Sequence, residues 1–363
     1  MQRYRLPSSS QCSLTLQRVT TNEVSVSIIV PVYNNPHDLV ECLTALIPLS
    51  SPEVEIIVVD DASTDDTHTV MTQSSVRVLR LLHNSGPGAA RNHGARHAQG
   101  KILFFVDADI IISPSAVSHV VQLFNAYPDI AAIFGSYDAH PRAPGVVSQY
   151  RNLLHHFVHQ HGNPAATTFW AGCGAIRRVA FEAVGGFDAQ RFPSPSIEDI
   201  ELGHRLRQAG YRILLEKTLQ GTHLKRWTLR SMIWTDICCR AVPWSRLSLE
   251  GQGFPNDLNL SKTQRLSTAL VGLASVCLVL AVCWPPLLVT AAIAFCGVFV
   301  INRTLYAFFC QQGGLLFAAV CLPLHWLYYL YSGLSYLYVW LRFRETAGEF
   351  LKPVEGPYRR ERL

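Results

Sequence analysis

The chain has 363 residues, of which 49% are hydrophobic and 16% are charged, and its formal net charge is +5. Its length exceeds one average domain, and so mild a charge, without a block of Lys or Arg, argues against a nucleic-acid partner. The ten cysteines include no CxxC pair, which argues against a disulfide framework or a zinc site and predicts a reducing compartment.

Charge is distributed unevenly along the chain, which predicts a division into segments. Residues 1–23 have no apolar core of signal-peptide type and are expected to be a flexible lead-in, so the folded domain, 24–228, should stay on the cytoplasmic side. Residues 229–263 mix apolar and basic side chains like an amphipathic interfacial segment. The stretch 264–341 is almost free of charge, and a basic tail, 342–363, follows it.

Hydrophobic runs at 266–284, 287–302 and 315–341 have the composition of transmembrane helices, with a predicted polar break between Asn302 and Gly314. The last run would be about 40 Å long as a helix, more than the ~30 Å hydrocarbon core. Three crossings would place the basic tail outside, whereas the positive-inside rule places it inside, so the side of the C-terminus stays open. The pattern predicts a multi-pass membrane protein.

Strands and helices alternate at the start of the folded domain. Apolar runs at 24–33, 55–59 and 76–82 predict strands, and the segments 38–46 and 89–99 predict helices. This alternation predicts parallel βαβ units and a doubly wound α/β sheet.

The segment 101–113, KILFFVDADIIIS, predicts a buried strand that ends at two carboxylates, Asp107 and Asp109. Ligands in such sheets bind beyond the carboxyl ends of the strands. Two carboxylates there suit Mg²⁺ or Mn²⁺, with phosphate oxygens completing the coordination shell. A strand followed by a polar turn without a ligand is the alternative.

The glycine-containing loop at 86–91, GPGAAR, does not predict a nicotinamide cofactor. It lacks the third glycine of a dinucleotide-binding fingerprint and follows the third predicted strand instead of the first. The chain also has no GxxxxGK[ST] loop, which excludes a P-loop nucleotidase.

The motifs SIIVPVYNNP, IIVVDDASTDD, GPGAARNHGA and FFVDADI occur in the order seen in family-2 glycosyltransferases, and the chain resembles that family. Further along, WAGCGA, GGFD, IEDIEL and HLKRW are similar to the family's acceptor loop and its GGFDE, EDxEL and QxxRW motifs. The resemblance covers 24–244. It implies a GT-A domain followed by C-terminal transmembrane helices, and transfer of a sugar from a nucleotide diphosphate sugar.

The resemblance also implies which residues bind the donor. The Asp60–Asp61 motif would hold the base and ribose, although one carboxylate of this stretch can cap the next helix as well. Arg91 lies one turn into a helix that follows a glycine loop, where a guanidinium suits a phosphate or a nucleotide carbonyl; a surface arginine is the alternative. The implied nucleotide-sugar-binding residues are Pro31, Tyr33, Asp60, Asp61, Arg91, Asp107 and Lys225.

The metal site implied by the resemblance consists of Asp107 and Asp109. His223 stands where polymerising members of the family carry Gln, and it would be a third metal ligand or contact the diphosphate. Lys225 and Arg226 would stabilise the charge that grows on the leaving diphosphate.

The predicted general base is Asp199, because it precedes a predicted helix at 200–209 and can point into the cleft. Glu198 and Glu201 are the alternatives, and a helix-capping role would also explain an acidic residue there. The catalytic residues expected on these grounds are Asp199, Glu198, Arg226 and Trp227; the acceptor-binding residues are Trp170, Gly172, Cys173 and Gly174. Sugar stacking and core packing both remain open for the two tryptophans.

The apolar runs and the resemblance together predict a membrane-bound glycosyltransferase that acts on a lipid or lipid-linked acceptor at the cytoplasmic face. The resemblance, with a single candidate base and no obvious nucleophile, implies an inverting enzyme. A processive polysaccharide synthase is disfavoured by His223 and by the small number of apolar runs. A non-catalytic nucleotide-sugar-binding membrane subunit is disfavoured by the intact DAD and EDIEL motifs.

Overall fold

A computed structural model describes residues 25–252, 258 and 261–345. The predicted lead-in and most of the predicted basic tail lie outside the described residues. The strands are β1 (Val26–Val32), β2 (Val54–Asp60), β3 (Arg77–Arg80), β4 (Ile102–Val106), β5 (Ile110–Ile112), β6 (Ile130–Tyr137), β7 (Ala165–Ala166), β8 (Cys173–Arg177) and β9 (Arg212–His223).

Helices cover both faces of the sheet and form the C-terminal region. A short 3₁₀ helix covers Ile47–Leu49, and π-helical turns cover Thr235–Ala241 and Ser248–Gln252. The α-helices are α1 (Pro36–Leu46), α2 (Thr67–Thr72), α3 (Pro87–His97), α4 (Ala116–Ala126), α5 (Val146–His161), α6 (Arg178–Ala183), α7 (Glu198–Gln208), α8 (Leu229–Trp234), α9 (Val242–Leu247), α10 (Lys262–Leu280), α11 (Leu287–Ile301) and α12 (Arg303–Glu345).

The strands form one sheet in the order β3-β2-β1-β4-β8-β6-β9-β5, and β7 pairs with β9. The predicted parallel arrangement is confirmed for β1 to β4. It is wrong for β5, β7 and β8, because β8 runs antiparallel to both β4 and β6, and β5 and β7 run antiparallel to β9. The pair of β6 and β9 is parallel. The chain enters β8 at the carboxyl end of β4, where the Asp107 amide donates a hydrogen bond to the Gly172 carbonyl, so β8 must run back along β4.

The central strands are apolar on both faces, as a sheet covered on two sides requires. Ile28 packs into one core with Leu39 of α1, whereas Ile29 packs into a second core with Ala90 of α3. Helix α3 lies very close to the sheet, since a Cβ at Gly94 would lie 2.6 Å from Ile29 Cγ2. This close packing brings the first turn of α3 to the carboxyl ends of β1 and β4.

The helices α10 and α12 are long and apolar enough to cross a membrane, and α11 is a shorter apolar helix. Many of their side chains are exposed, including Val279, Ile293 and Leu315. Inside this region Asn302 donates a hydrogen bond to Ser267 Oγ at 3.0 Å.

The predicted polar break between Asn302 and Gly314 is wrong, because α12 already begins at Arg303. Leu305 and Phe309 are four residues apart on one helix face and pack against α5. The exposed polar residues of this stretch are Arg303, Thr304, Gln311 and Gln312. A local change of direction occurs instead at Gly314, whose φ of 79° is non-helical.

The segment 229–252 packs between the sheet domain and α12. Asp236, which is 3% exposed, accepts hydrogen bonds from Arg151 of α5 at 2.7 Å and from the Tyr331 hydroxyl of α12 at 2.5 Å. Arg240 donates a further bond to Asp236 at 3.1 Å. Buried carboxylates need such partners, and here the partners connect the sheet domain to the apolar helices.

Candidate active site

The Asp107–Asp109 turn is fixed at the carboxyl end of β4 by its own backbone. The Asp107 amide donates to Gly172 O at 3.0 Å, and the Leu224 amide donates to Asp109 O at 2.8 Å. The two carboxylates remain partly accessible, with side-chain exposures of 32% and 18%. The turn therefore presents two carboxylates to the space beyond the sheet edge, where the sequence predicts them.

Arg91 is buried and connects this turn to helix α7. Its Nη2 donates to Asp107 Oδ1 at 2.6 Å, and its Nη1 donates to Glu198 Oε1 at 2.9 Å. The alternative of a surface arginine is wrong, because Arg91 is 4% exposed and both of its terminal nitrogens bind carboxylates inside the protein. Burial alone would lower the pKa of Arg91, but the charges of the neighbouring carboxylates outweigh it and raise the pKa.

The two carboxylates of the turn differ in their electrostatics. Burial raises the pKa of Asp107, against the opposing charge of Arg91. Burial also acts to raise the pKa of Asp109, but a hydrogen bond and charge from His223, with the charge of Lys225, lower it on balance.

His223 lies next to Asp109 because β9 pairs with β5. The pairing sets His223 opposite Ile110, and its Nε2 lies 3.6 Å from Asp109 Oδ2. Its ring stacks on Tyr137 with centroids 4.1 Å apart and planes 12° apart. Sequence reasoning missed Tyr137; its place at the end of a strand, beyond the apolar run IAAIFGS, was the signal available.

The residues of the turn fit a hard divalent cation. Arg91 engages Asp107 through Oδ1, and the side chains of Asp107 and Asp109 are 32% and 18% exposed. Over the described ranges of the chain, no group of three or more His, Cys, Asp or Glu side chains is arranged to hold a metal ion. A cation here would therefore take part of its shell from the protein and complete it with phosphate oxygens and water, as Mg²⁺ does.

Asp199 lies at the start of α7. Its Oδ2 accepts a hydrogen bond from the Ala171 amide at 3.1 Å, and its Oδ1 accepts one from the Ile200 amide at 2.8 Å. Burial, followed by the charge of Glu198, raises the pKa of Asp199 to about 7, against the opposing charge of Arg91. A carboxyl group with such a pKa can accept a proton near neutral pH.

The other two carboxylates of the EDIEL motif are held in ion pairs. Glu198 is 5% exposed and binds Arg91 and the Ser196 amide. Glu201 receives two hydrogen bonds from Arg205, both at 2.7 Å. Their side chains position the start of α7, and they are poorer candidates for the base than Asp199.

The backbone of residues 171–172 brings the two halves of the site together. The Ala171 amide donates to Asp199, and the Gly172 carbonyl accepts from the amide of Asp107. The candidate base and the candidate cation site therefore share one loop.

The Asp60–Asp61 pair at the end of β2 is buried and shapes loops. Asp60 Oδ1 accepts from the Ser63 amide at 2.8 Å, and Arg80 Nε lies 3.3 Å from Oδ2. Asp61 accepts from the amides of Ser85 and Gly86, both at 2.8 Å. Neither aspartate caps the next helix, α2, whose Thr67 amide donates to Asp65 instead at 3.0 Å. The contacts of Asp61 form the loop that leads into α3.

The remaining predicted residues are spread over different environments. Pro31 is buried inside β1, whereas Tyr33, just beyond it, is 46% exposed. Lys225 and Arg226 are exposed, and Lys225 Nζ lies 4.6 Å from the Trp227 ring.

The two tryptophans differ. Trp227 is 8% exposed and packs in a hydrophobic cluster with residues of α5 and α12, which favours core packing. Trp170 is half-buried and meets Tyr137 edge-on at 4.9 Å, next to the loop that holds Asp199.

The predicted acceptor contact through Cys173 is wrong, because this side chain is fully buried in the core. Burial raises its pKa to about 12. Gly174 pairs with Phe105 inside the sheet, where a Cβ would lie 2.3 Å from the Trp170 carbonyl. The glycine-rich loop binds the site through its backbone, by the Ala171 amide and the Gly172 carbonyl.

Comparison with known proteins identifies the family. A sequence model described as Glycosyl transferase family 2 matches residues 27–185. An uncharacterized glycosyltransferase of Haemophilus influenzae is 30% identical over 219 residues, which are 55% of this chain and 69% of that protein. The chain belongs to glycosyl transferase family 2. Its sheet domain has a mixed, GT-A-like α/β fold.

Other relatives match over shorter stretches. A poly(ribitol-phosphate) beta-glucosyltransferase of Bacillus spizizenii is 36% identical over 102 residues, 26% of this chain and 16% of that protein. The chain covers less than half of the length of that enzyme and of other curated relatives. Among solved structures, the mannosyltransferase PcManGT from Pyrobaculum calidifontis, in complex with GDP-Man and Mn²⁺, aligns with a TM-score of 0.47 and 19% identity over 87% of this chain and 88% of that one.

Proposed function

We propose that this glycosyltransferase is a membrane-bound, inverting enzyme that transfers a sugar from a nucleotide diphosphate sugar to a lipid or lipid-linked acceptor at the cytoplasmic face. The observation that carries the proposal is the shared loop, whose Ala171 amide binds Asp199 and whose Gly172 carbonyl binds the Asp107 amide. A base for the acceptor and a charged site for the leaving group are thereby held at one edge of the sheet.

Asp199 is the proposed general base. It would accept the proton of the acceptor hydroxyl while the acceptor oxygen bonds to the anomeric carbon of the donor sugar. The bond between that carbon and the diphosphate oxygen breaks on the opposite face, and the diphosphate leaves with the electron pair. A single displacement inverts the anomeric centre, and the ion pairs of Glu198 and Glu201 leave neither residue suited to act as a nucleophile.

Asp107 and Asp109 are the proposed holders of Mg²⁺ or Mn²⁺, with His223 beside them. A bound divalent cation supplies positive charge to the leaving diphosphate. Lys225 and Arg226 are exposed at the same edge and would add to that charge. Arg91 would act by orienting the Asp107 carboxylate from inside the protein.

Donor binding is proposed at the ends of β1 and β2. The exposed ring of Tyr33 would contact the base, and Asp61 would keep the loop before α3 in place through its two hydrogen bonds to backbone amides. Pro31 and Asp60 support this pocket from beneath, since both are buried.

Membrane attachment through the C-terminal helices is supported by their length and by their exposed apolar side chains. The segment 229–252 would lie at the interface, where the exposed Trp234 suits the headgroup region. We therefore propose a catalytic domain at 24–228, an interfacial segment at 229–263 and a membrane region at 264–341. An acceptor anchored in the same membrane would reach the site from this side.

The test is nucleoside diphosphate release from a panel of UDP-, GDP- and dTDP-sugars by the full, detergent-solubilised chain with Mn²⁺ and a membrane lipid extract. We expect release from one donor that requires the lipid and stops on addition of a chelator. Release that persists with chelator would contradict the cation site, and release that ignores the lipid would contradict the lipid acceptor.

A further inference from the structure

Tyr137 is placed beside His223 by an irregularity in the pairing of β6 with β9. The register shifts between Phe134 and Ser136, so that Tyr137 lies opposite Gly221. The close approach at the shift requires a glycine, because a Cβ at Gly135 would lie 1.9 Å from a backbone carbonyl oxygen. Such shifts re-aim side chains at the ends of strands.

His223 follows Gly221 by two residues, and side chains two apart on a strand point to the same face. His223 and Tyr137 therefore stack, with centroids 4.1 Å apart and planes 12° apart. The ring planes of Tyr137 and His223 are closer to parallel than those of its other ring contacts. The Tyr137 ring is tilted by 39° against His155 and by 86° against Trp170.

Tyr137 itself is held from helix α5 and from the acceptor loop. His156 Nδ1 lies 2.7 Å from the Tyr137 carbonyl oxygen, and the rings of His155 and Trp170 lie 4.2 Å and 4.9 Å from the Tyr137 ring. The tyrosine ring thus has fixed neighbours, and it restricts the orientation of the imidazole stacked on it.

The restricted imidazole points its Nε2 at the cation turn. His223 is 5% exposed, and Nε2 lies 3.6 Å from Asp109 Oδ2. We infer that Tyr137 is a positioning residue, whose ring holds the His223 imidazole against Asp109 so that the two side chains form one binding unit for the divalent cation. This inference rests on the proposed cation site at Asp107 and Asp109. Residues that orient a metal-binding group commonly change metal affinity when they are replaced.

The experiment measures the dissociation constant for Mn²⁺ in the presence of UDP or GDP, from the electron paramagnetic resonance signal of free Mn²⁺, on the full detergent-solubilised chain. We expect Tyr137→Leu to raise this constant about tenfold, towards that of His223→Ala, and Tyr137→Phe to leave it within about twofold. The double variant Tyr137→Leu/His223→Ala should bind Mn²⁺ as His223→Ala does. A structural role unconnected with the imidazole would not produce this non-additivity.

Tyr137→Met, which is similar in volume and lacks a ring, replaces the leucine variant if circular dichroism shows that the latter is unfolded. Unchanged Mn²⁺ binding in the folded ring-less variant, or equal losses with and without His223, would overturn the inference. Mn²⁺ binding by the variant Asp109→Asn shows whether only the role of Tyr137 fails or the proposed cation site fails as well. Weakened binding in Asp109→Asn together with normal binding in His223→Ala leaves the cation site in place and removes the role of Tyr137. Normal binding in Asp109→Asn removes the cation site, and the inference with it.

Discussion

The sheet carries two pairs of aspartates, at the ends of β2 and β4 on either side of β1. Asp60 and Asp61 are buried, and their oxygens accept mainly from backbone amides of nearby loops. Asp107 and Asp109 are partly accessible, and their side-chain partners are Arg91 and His223, which come from other elements.

The two pairs differ in whether a ligand can replace the present partners of their carboxylates. A backbone amide that binds a buried carboxylate is part of the loop's shape, so Asp60 and Asp61 serve mainly to order the loops after β2 and before α3. A carboxylate at an accessible edge, whose partners are side chains of other elements, can take up a metal ion. Two similar motifs in the sequence therefore have different consequences in the fold.

The largest expected effect falls on the accessible edge. Asp109→Asn and Asp199→Asn should each lower kcat by at least about 1,000-fold, because one removes charge at the cation site and the other removes the base. Asp129→Asn is the matched control. The Asp129 side chain is 55% exposed and precedes β6, whereas the site lies at the opposite end of that strand, where Tyr137 contacts His223. Donor turnover in the two site variants close to that of Asp129→Asn would remove the assigned roles.

The ion pairs of Arg91 should contribute strongly to stability. Arg91→Met leaves Glu198 as a buried carboxylate without its cation, and we expect a loss of about 3–5 kcal/mol in the free energy of unfolding. Arg212→Met, at an exposed pair with Asp129, should cost at most about 1 kcal/mol. Chemical denaturation in detergent compares the two; equal losses would mean that Arg91 is not the buried link described above.

The buried aspartate pair should affect donor binding more than chemistry. Asp61→Asn retains one of the two loop hydrogen bonds, so we expect the KM for the donor to rise about tenfold while kcat stays within a few-fold. Steady-state kinetics with the donor varied measures both values. A loss of kcat as large as that of Asp109→Asn would end the distinction between the two pairs.

The smallest effect concerns pH. Glu198 contributes to the raised pKa of Asp199, so Glu198→Gln should move the acid limb of kcat/KM to lower pH. The direction follows because removing a negative neighbour makes the Asp199 proton easier to lose. An acid limb that stays in place or moves to higher pH would show that another group controls it.

The parallel half of the sheet could be predicted because β1, β2 and β4 are short apolar runs that end in turn residues. The antiparallel return of β8 could not, since its sequence, CGAIR, carries no sign of its partner strands. The same limit applies to Arg91: its position near the site followed from the helix start, but its bond to Glu198 joins residues 107 apart in sequence.

The direction of side chains was the second property that could not be predicted from the sequence. Cys173 and Gly172 are adjacent in one motif, yet one faces the core and the other offers its carbonyl to the site. Polar residues between Asn302 and Gly314 suggested a break between two apolar runs, whereas Leu305 and Phe309 pack on one face of a helix that continues through this stretch. Only packing against other elements decides such cases.

The most direct test of Asp199 as the base is the pH dependence of kcat/KM for the wild type and Asp199→Asn, with the donor found in the release assay. Because only the deprotonated carboxylate can accept a proton, wild-type kcat/KM should fall about tenfold per pH unit below pH ~7. The variant should be slow and should lack this limb. A wild-type profile that is flat to pH 5, or the same acid limb in the variant, would contradict the assignment of Asp199.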